Sequence, residues 1–258
     1  MIKNTIALGP FSIHLYGLIV SAAIFFAYLL VIFRAKIYQV SRNTIDTLFL
    51  LILPFGIIGA RLYHVLDYFD YYRQNPLEIL YIWQGGLGIF GALIFGLLTV
   101  YFYAKFKNIS VLTLLDLASP AVSLGQSIGR WGNYINIEAF GPPTNLAWGI
   151  SVPENLRPLE YASYSKFHPA FLYESVATLL IFIFLIIISK SVIKKPGAVF
   201  ALYLILYSIS RLIIESFRID TWEILNIKVA QIISLSLFFA GSFLFLTIIK
   251  SKLKTNES

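Results

Sequence analysis

The chain has 258 residues, of which 58% are hydrophobic, 16% aromatic and only 13% charged, with a mean hydropathy of +0.78. A soluble domain carries about 25% charged residues and a disordered chain is polar and poor in aromatics, so both classes are excluded. The formal charge of +7 is spread between long apolar runs, which points to membrane orientation and to no nucleic-acid partner; with no cysteine there is no disulfide, thiolate metal site or cysteine nucleophile.

Seven apolar segments have the length of a membrane span, at about 14–33, 46–66, 86–104, 111–129, 170–189, 197–214 and 229–249. The expected fold is an all-α integral membrane protein in a single domain, with seven transmembrane helices and a small extracytoplasmic cap. The N-terminal stretch lacks a small-residue cleavage site, so the first run is expected to stay as an anchor. With the N-terminus outside, the inner flanks hold Arg34, Lys36 and Arg42, then Lys105 and Lys107, then Lys190, Lys194 and Lys195, then Lys250, Lys252 and Lys254. The opposite side holds Asp67, Asp70, Glu78, Glu138, Glu154, Glu160, Asp220 and Glu223. All four inner segments are basic, which predicts N-terminus out and C-terminus in the cytoplasm. The longest outer loop, 130–169, is rich in Gly, Pro and Asn and reads as the cap.

Polar groups within spans need partners or a water-filled cavity. Arg61, Arg130, Arg211 and Arg218 all fall toward the outer ends of spans. Arg61 reads as a side chain reaching outer headgroups. The stretch GQSIGRWGNYINIEAFG, 125–141, sets Arg130, Asn133, Asn136 and Glu138 among glycines. Arg supplies a rigid fork of donors suited to phosphate, so this cluster suits a lipid headgroup; in the plainer alternative Arg130 and Glu138 pair to close a helix end. In YSISRLIIESFRID, Arg211, Glu215 and Arg218 are spaced i, i+4 and i+7, which predicts one ladder on one helix face inside the bundle. The five glycines of WQGGLGIFGALIFG, 83–96, read either as close helix packing or as a broken helix beside a ligand. His14 and Tyr16 stand at the outer start of the first span, and His168 at that of the fifth. Scattered histidines without HExxH, and the lack of GK[ST] and GxSxG, predict no metal and no nucleotide or serine-hydrolase site.

The segment GRWGNYINIEAFG, 129–141, resembles the signature of the bacterial prolipoprotein diacylglyceryl transferase family. The likeness extends over LYGL (15–18), GARLYHV (59–65), WQGGL (83–87), HPAFLYE (168–174), PGAVFALYLILYSISRLIIESFR (196–218) and QIISL (231–235). It implies seven helices in the bacterial cytoplasmic membrane and transfer of the diacylglyceryl group of phosphatidylglycerol to the lipobox cysteine thiol of a prolipoprotein signal peptide. The product is a thioether, with release of glycerol 1-phosphate. By this resemblance Arg130, Arg211 and Tyr16 are catalytic, and Asn133, Glu138, Gly141, Glu215 and Arg218 bind substrate; Asn136, Arg61 and His168, polar residues at the same outer ends, are expected to join the binding site. The partners are phosphatidylglycerol, membrane lipid and the signal peptide, and no cofactor or metal is needed. Phe90 stands where many members carry a histidine, so a histidine base is not available there. Rival readings are a transporter, for which a repeat and a mid-membrane polar site are expected, and a scaffold, for which an arginine cluster is superfluous.

Overall fold

The computed structural model describes residues 5–8, 11–192, 195–219, 221–225 and 227–255. Lys194 and Asp220 of the charge pattern lie outside these residues, as do the side chains of Lys252 and Lys254. Among the described residues seven helices are long and apolar enough to cross a membrane: α1 (Leu15–Ala35), α2 (Arg42–Asp67), α4 (Ile89–Phe106), α5 (Val111–Asn136), α6 (Ala170–Val192), α7 (Ala198–Glu215) and α8 (Val229–Thr255). A short α3 (Phe69–Gln74) follows α2. Besides four short 3-10 turns, the described residues form three two-stranded antiparallel pairs: β1 (Thr5–Leu8) with β2 (Phe11–His14), β3 (Ile150–Ser151) with β4 (Lys166–Phe167), and β5 (Glu223–Ile224) with β6 (Ile227–Lys228). The protein is an all-α, multi-pass membrane protein. By backbone contacts it divides into two compact units, Met1–Val31 with Leu115–Ser258, and Ile32–Leu114.

In the unit Ile32–Leu114, Ser41 caps α2 by accepting from the Thr44 N–H at 3.1 Å. Helices α2 and α4 pack backbone to backbone. A Cβ on Gly59 would lie 2.5 Å from the Gly91 carbonyl oxygen, and one on Gly91 would overlap the Gly59 carbonyl. Close packing therefore accounts for Gly91, whereas Gly85 and Gly86 have positive φ (92° and 70°) and make the turn before α4. Gly91→Ala is expected to cost about 1–3 kcal/mol through overpacking, read as a lower unfolding temperature in detergent. Gly96→Ala, where a Cβ meets no atom within 4 Å, is expected to unfold like the parent.

Arg61 does not reach for headgroups. It is buried, 7% exposed, because the loop after α3 wraps it. Its Nε donates to Ile79 O at 2.9 Å, its Nη1 to Gly85 O and Gly86 O at 2.9 and 3.1 Å, and its Nη2 to Glu78 O. The guanidinium also lies over the Tyr72 ring, 5.0 Å from the centroid. One fixed cation thus ties residues 78–86 to α2. Beside it, the Tyr71 hydroxyl donates to Glu78 Oε2 at 2.6 Å, a bond to a carboxylate that raises the phenol's pKa.

In the other unit, α7 begins with its first amides capped from a distance. Asp116 of α5, fully buried, accepts from Gly197 N–H and Phe200 N–H, each at 2.7 Å. A carboxylate placed on the orphan donors of a helix N-terminus offsets both their desolvation and the helix dipole. Gly197 takes φ +94°, which admits this entry into the helix.

Helix α5 continues past the expected span end at 129 to Asn136, so the connecting segment starts at 137 rather than 130. Gly132 does not break the helix, since its bare face admits the Tyr16 ring of α1: a Cβ there would lie 2.8 Å from Tyr16 Cδ2. Closure comes only at Ile137. Glu138 N–H donates to Asn133 O at 2.9 Å and Ile137 N–H to Tyr134 O at 3.2 Å, the two bonds of a Schellman turn. The left-handed position of that turn usually holds glycine; here it is Ile137 at φ +54°. The segment 137–169 has its own small core of Phe140, Val152 and Phe167, with Ile137, Ile150, Tyr161 and Ile219 packed against it.

Candidate active site

Glu174, one turn into α6, is the hub of a buried ionic cluster. Arg130 of α5 places Nη2 2.5 Å from Glu174 Oε2. Arg211 of α7 donates through Nη1 to Glu174 Oε1, and Arg218 places its Nη1 3.5 Å from the same oxygen. Arg211 Nη2 also lies 2.8 Å from Glu215 Oε2, an ion-pair contact in which the N–H is not aligned for a hydrogen bond. The side chains of Glu174 and Glu215 are 5% and 2% exposed, and that of Arg130 is the most open of the three arginines at 24%.

The expected ladder along one helix face is corrected. Helix α7 ends at Glu215, so helical spacing stops before Arg218. Arg218 N–H donates to Glu215 O at 3.1 Å, and its guanidinium turns to Glu174. Lys228 of β6 caps this end: its Nζ donates to Glu215 O at 2.9 Å and Arg218 O at 2.6 Å. A cation on the last carbonyls of a helix is favoured by the helix dipole.

Arg130 joins the Glu174 hub to the motif at the end of α5. Its Nη1 donates to Asn133 Oδ1 at 3.4 Å, Asn133 Nδ2 donates to Glu138 Oε1 at 2.9 Å, and Asn136 Nδ2 reaches the same oxygen at 3.4 Å. The Schellman turn folds Glu138 back over Asn133, which explains why five residues of sequence become one polar chain. Glu138 therefore touches Arg130 through Asn133. Tyr16 stands against Gly132, on the turn of α5 that carries Arg130 and Asn133.

Gly141 lies where three strands of chain converge. Its N–H donates to His168 O at 2.7 Å, and a Cβ would overlap the Phe217 carbonyl oxygen and lie 2.9 Å from His168 Cβ. Phe217 adjoins Arg218, so any shift there is transmitted to the cluster. Gly141→Ala is expected to lower activity at the cluster about tenfold or more and to cost about 1–3 kcal/mol of stability; a variant with parental kinetics would show that the backbone gives way without disturbing Arg218. His168 secures the same corner: its Nδ1 is 3.0 Å from the Tyr173 hydroxyl, which also accepts from Trp148 Nε1 at 3.1 Å.

Sequence reasoning did not single out Glu174 or Lys228. The available signal for Glu174 was a carboxylate four residues inside an otherwise uncharged apolar span, which must find a cation. Among the described residues the close set brings three guanidinium groups to two carboxylates, and guanidinium forks suit an anion with several acceptor oxygens. The family profile described as prolipoprotein diacylglyceryl transferase matches residues 3–247. The chain belongs to this family. It is 38% identical over 256 residues to the phosphatidylglycerol--prolipoprotein diacylglyceryl transferase of Finegoldia magna, covering 98% of this chain and 99% of that one. The protein of the same name from Thermotoga maritima is 43% identical over 236 residues, 91% of this chain and 80% of that one. That of Clostridium botulinum (strain Langeland) is 39% identical over 244 residues, 95% and 96% of the two chains. Within this transferase family, the Arg130, Glu174, Arg211 and Arg218 cluster is the candidate site of group transfer.

Proposed function

We infer that the protein transfers the diacylglyceryl group of phosphatidylglycerol to the cysteine thiol of a prolipoprotein lipobox, the first step of lipoprotein maturation. The observation that carries the reading is the arginine cluster gathered around Glu174. In the reaction, sulfur bonds to the primary glycerol carbon, the C–O bond to phosphate breaks, and its electron pair stays on the departing oxygen. The thiol proton is lost to water or to the glycerol 1-phosphate released. An ordinary thiol has a pKa of about 8.5 and is favoured as thiolate beside cations, so this reading does without the histidine that Phe90 replaces. Phe90 instead packs on Tyr63, with ring centroids 5.8 Å apart.

In this reading Arg130 and Arg211 take the phosphate. Fixed guanidinium forks aimed at a developing phosphate charge stabilise it without reorganising, an effect of about 3–4 kcal/mol for one donor. Arg218 adds to the field, and Glu174 and Glu215 hold the forks in place. Asn133, Asn136, Glu138 and Tyr16 orient the headgroup, and Gly141 and His168 support the corner beside Phe217. Arg61, with its donors on four loop carbonyls, acts by holding the loop before α4. The test is purified protein in phosphatidylglycerol liposomes with a lipobox peptide. Thioether-linked diacylglyceryl peptide and glycerol phosphate are expected in equal amounts; lipid movement without consumption would mean a transporter, and neither would mean a scaffold.

The proposal includes one membrane domain in the bacterial cytoplasmic membrane, N-terminus outside, with 137–169 as an outer cap. The absence of cysteine makes this directly testable. Leu159→Cys, at a site 96% exposed, is expected to react in intact cells with an impermeant maleimide, and Asn108→Cys only after permeabilisation. The reverse pattern would invert the topology.

A further inference from the structure

The cluster works only if α5 and α6 sit at one register, and a row of buried hydroxyls lies directly beneath it. Ser127 Oγ of α5 donates to Ser175 O of α6 at 2.9 Å, and Ser175 Oγ donates back to Ser127 O at 2.8 Å. The two hydroxyl oxygens are 3.3 Å apart, and both residues are 5% exposed. One further turn of hydroxyls continues the row: Ser123 Oγ donates to Thr178 O at 2.7 Å, and Thr178 Oγ1 donates to Glu174 O at 2.7 Å. Ser175 adjoins Glu174 in the chain, and Ser127 is three residues, just under one turn, before Arg130.

Lipid gives no hydrophobic force to lock two apolar helices in register, so interhelical hydrogen bonds and close packing must do it. A reciprocal pair is the strictest form, because each backbone carbonyl is fixed by the hydroxyl of the residue whose own carbonyl it faces. A slide of one residue, about 1.5 Å along the axis, stretches and misaligns both bonds at once. The same slide offsets Arg130 Nη2, now 2.5 Å from Glu174 Oε2, from the carboxylate it pairs with.

We propose that Ser127 and Ser175 are positioning residues for group transfer: their reciprocal clasp sets the register that places the Glu174 carboxylate between Arg130 and Arg211. The proposal rests on that cluster being the phosphate site. It acts on the geometry of the forks in the transition state, so it predicts a fall in kcat with little change in the KM for phosphatidylglycerol.

The experiment compares the parent, Ser127→Ala, Ser175→Ala and the double variant in phosphatidylglycerol liposomes with a lipobox peptide. Each single variant keeps one of the two bonds. The double variant is expected to lose about tenfold in kcat, the order of two interhelical hydrogen bonds, with KM within twofold and the singles in between. In an Arg130→Lys background, the double substitution is expected to add little further loss, since it acts through Arg130. An unchanged kcat in the double variant overturns the proposal, and so does a tenfold loss that persists in full in the Arg130→Lys background. A second reading needs no activity. Cysteines at Trp131 and Phe171, whose rings lie 6.1 Å apart across α5 and α6, are oxidised with copper phenanthroline. Cross-linking is expected to be fast with the clasp intact and at least threefold slower in the double alanine variant; equal rates overturn the register role. If the parent consumes no phosphatidylglycerol while cross-linking still depends on the clasp, the functional reading fails and the register role stands.

Discussion

Glu174→Gln is expected to reduce diacylglyceryl transfer by about 10²-fold or more, the scale of a one-ångström misplacement of catalytic groups. One carboxylate holds three guanidinium groups, from α5, from α7 and from the turn that follows α7. The amide keeps the shape but removes the charge and turns one acceptor into a donor facing a guanidinium. Arg211 keeps Glu215, but the charge that Arg130, Arg211 and Arg218 share is gone, and the three guanidinium groups repel one another. Removing one partner of a buried ionic cluster costs about 3–5 kcal/mol, so the unfolding temperature in detergent is expected to fall as well. Glu174→Asp separates the two consequences. It keeps the charge but is one methylene short, so stability is expected to recover more than activity does. Parental turnover in a folded Glu174→Gln protein would remove Glu174 from the site.

The spans could be read from the sequence because each is a run of apolar residues whose length the bilayer thickness dictates, and burial of backbone polar groups leaves a helix as the only local answer. The cluster from Arg130 to Glu138 could be read because it is local, within one helix and the turn that ends it. The extent of α5 could not: a β-branched residue in the left-handed position, Ile137, is a poor stop signal, and the apolar run itself ends at 129, before the polar last turns of the helix. Arg61 was misread for a different reason. An arginine near the end of a span ordinarily reaches outward, but its acceptors here are carbonyls 17 to 25 residues away, and a loop's carbonyls leave no mark in its side-chain sequence. The ladder of Arg211, Glu215 and Arg218 was half right. Spacing predicts neighbours only while the helix lasts, and Glu174, whose arginine partners are 37 and 44 residues away, competes for Arg218 once it ends.

Arg130→Lys is expected to lose about 10²–10³-fold in transfer, the scale of one lost donor on a developing oxyanion, while the protein still inserts and folds. Arg130 now spans two acceptors, Glu174 Oε2 through Nη2 and Asn133 Oδ1 through Nη1, and as the most exposed of the three arginines it is the one with a face open to a ligand. A lysine keeps the charge as a compact ammonium on a flexible stem; it can satisfy Glu174 or Asn133, but it lacks the planar fork that holds both and a phosphate together. Because the Glu174 charge stays paired with Arg211 and Arg218, stability is expected to change far less than in Glu174→Gln. The kinetics decide what Arg130 does. If it only gathers phosphatidylglycerol, the KM rises and kcat is kept; if it follows charge onto the departing oxygen, kcat and kcat/KM fall together. The second pattern is expected, since the fork is fixed before substrate arrives and gains most when phosphate charge grows. A lysine variant with parental kcat and a raised KM would confine Arg130 to binding, and one with both constants unchanged would take the phosphate away from it.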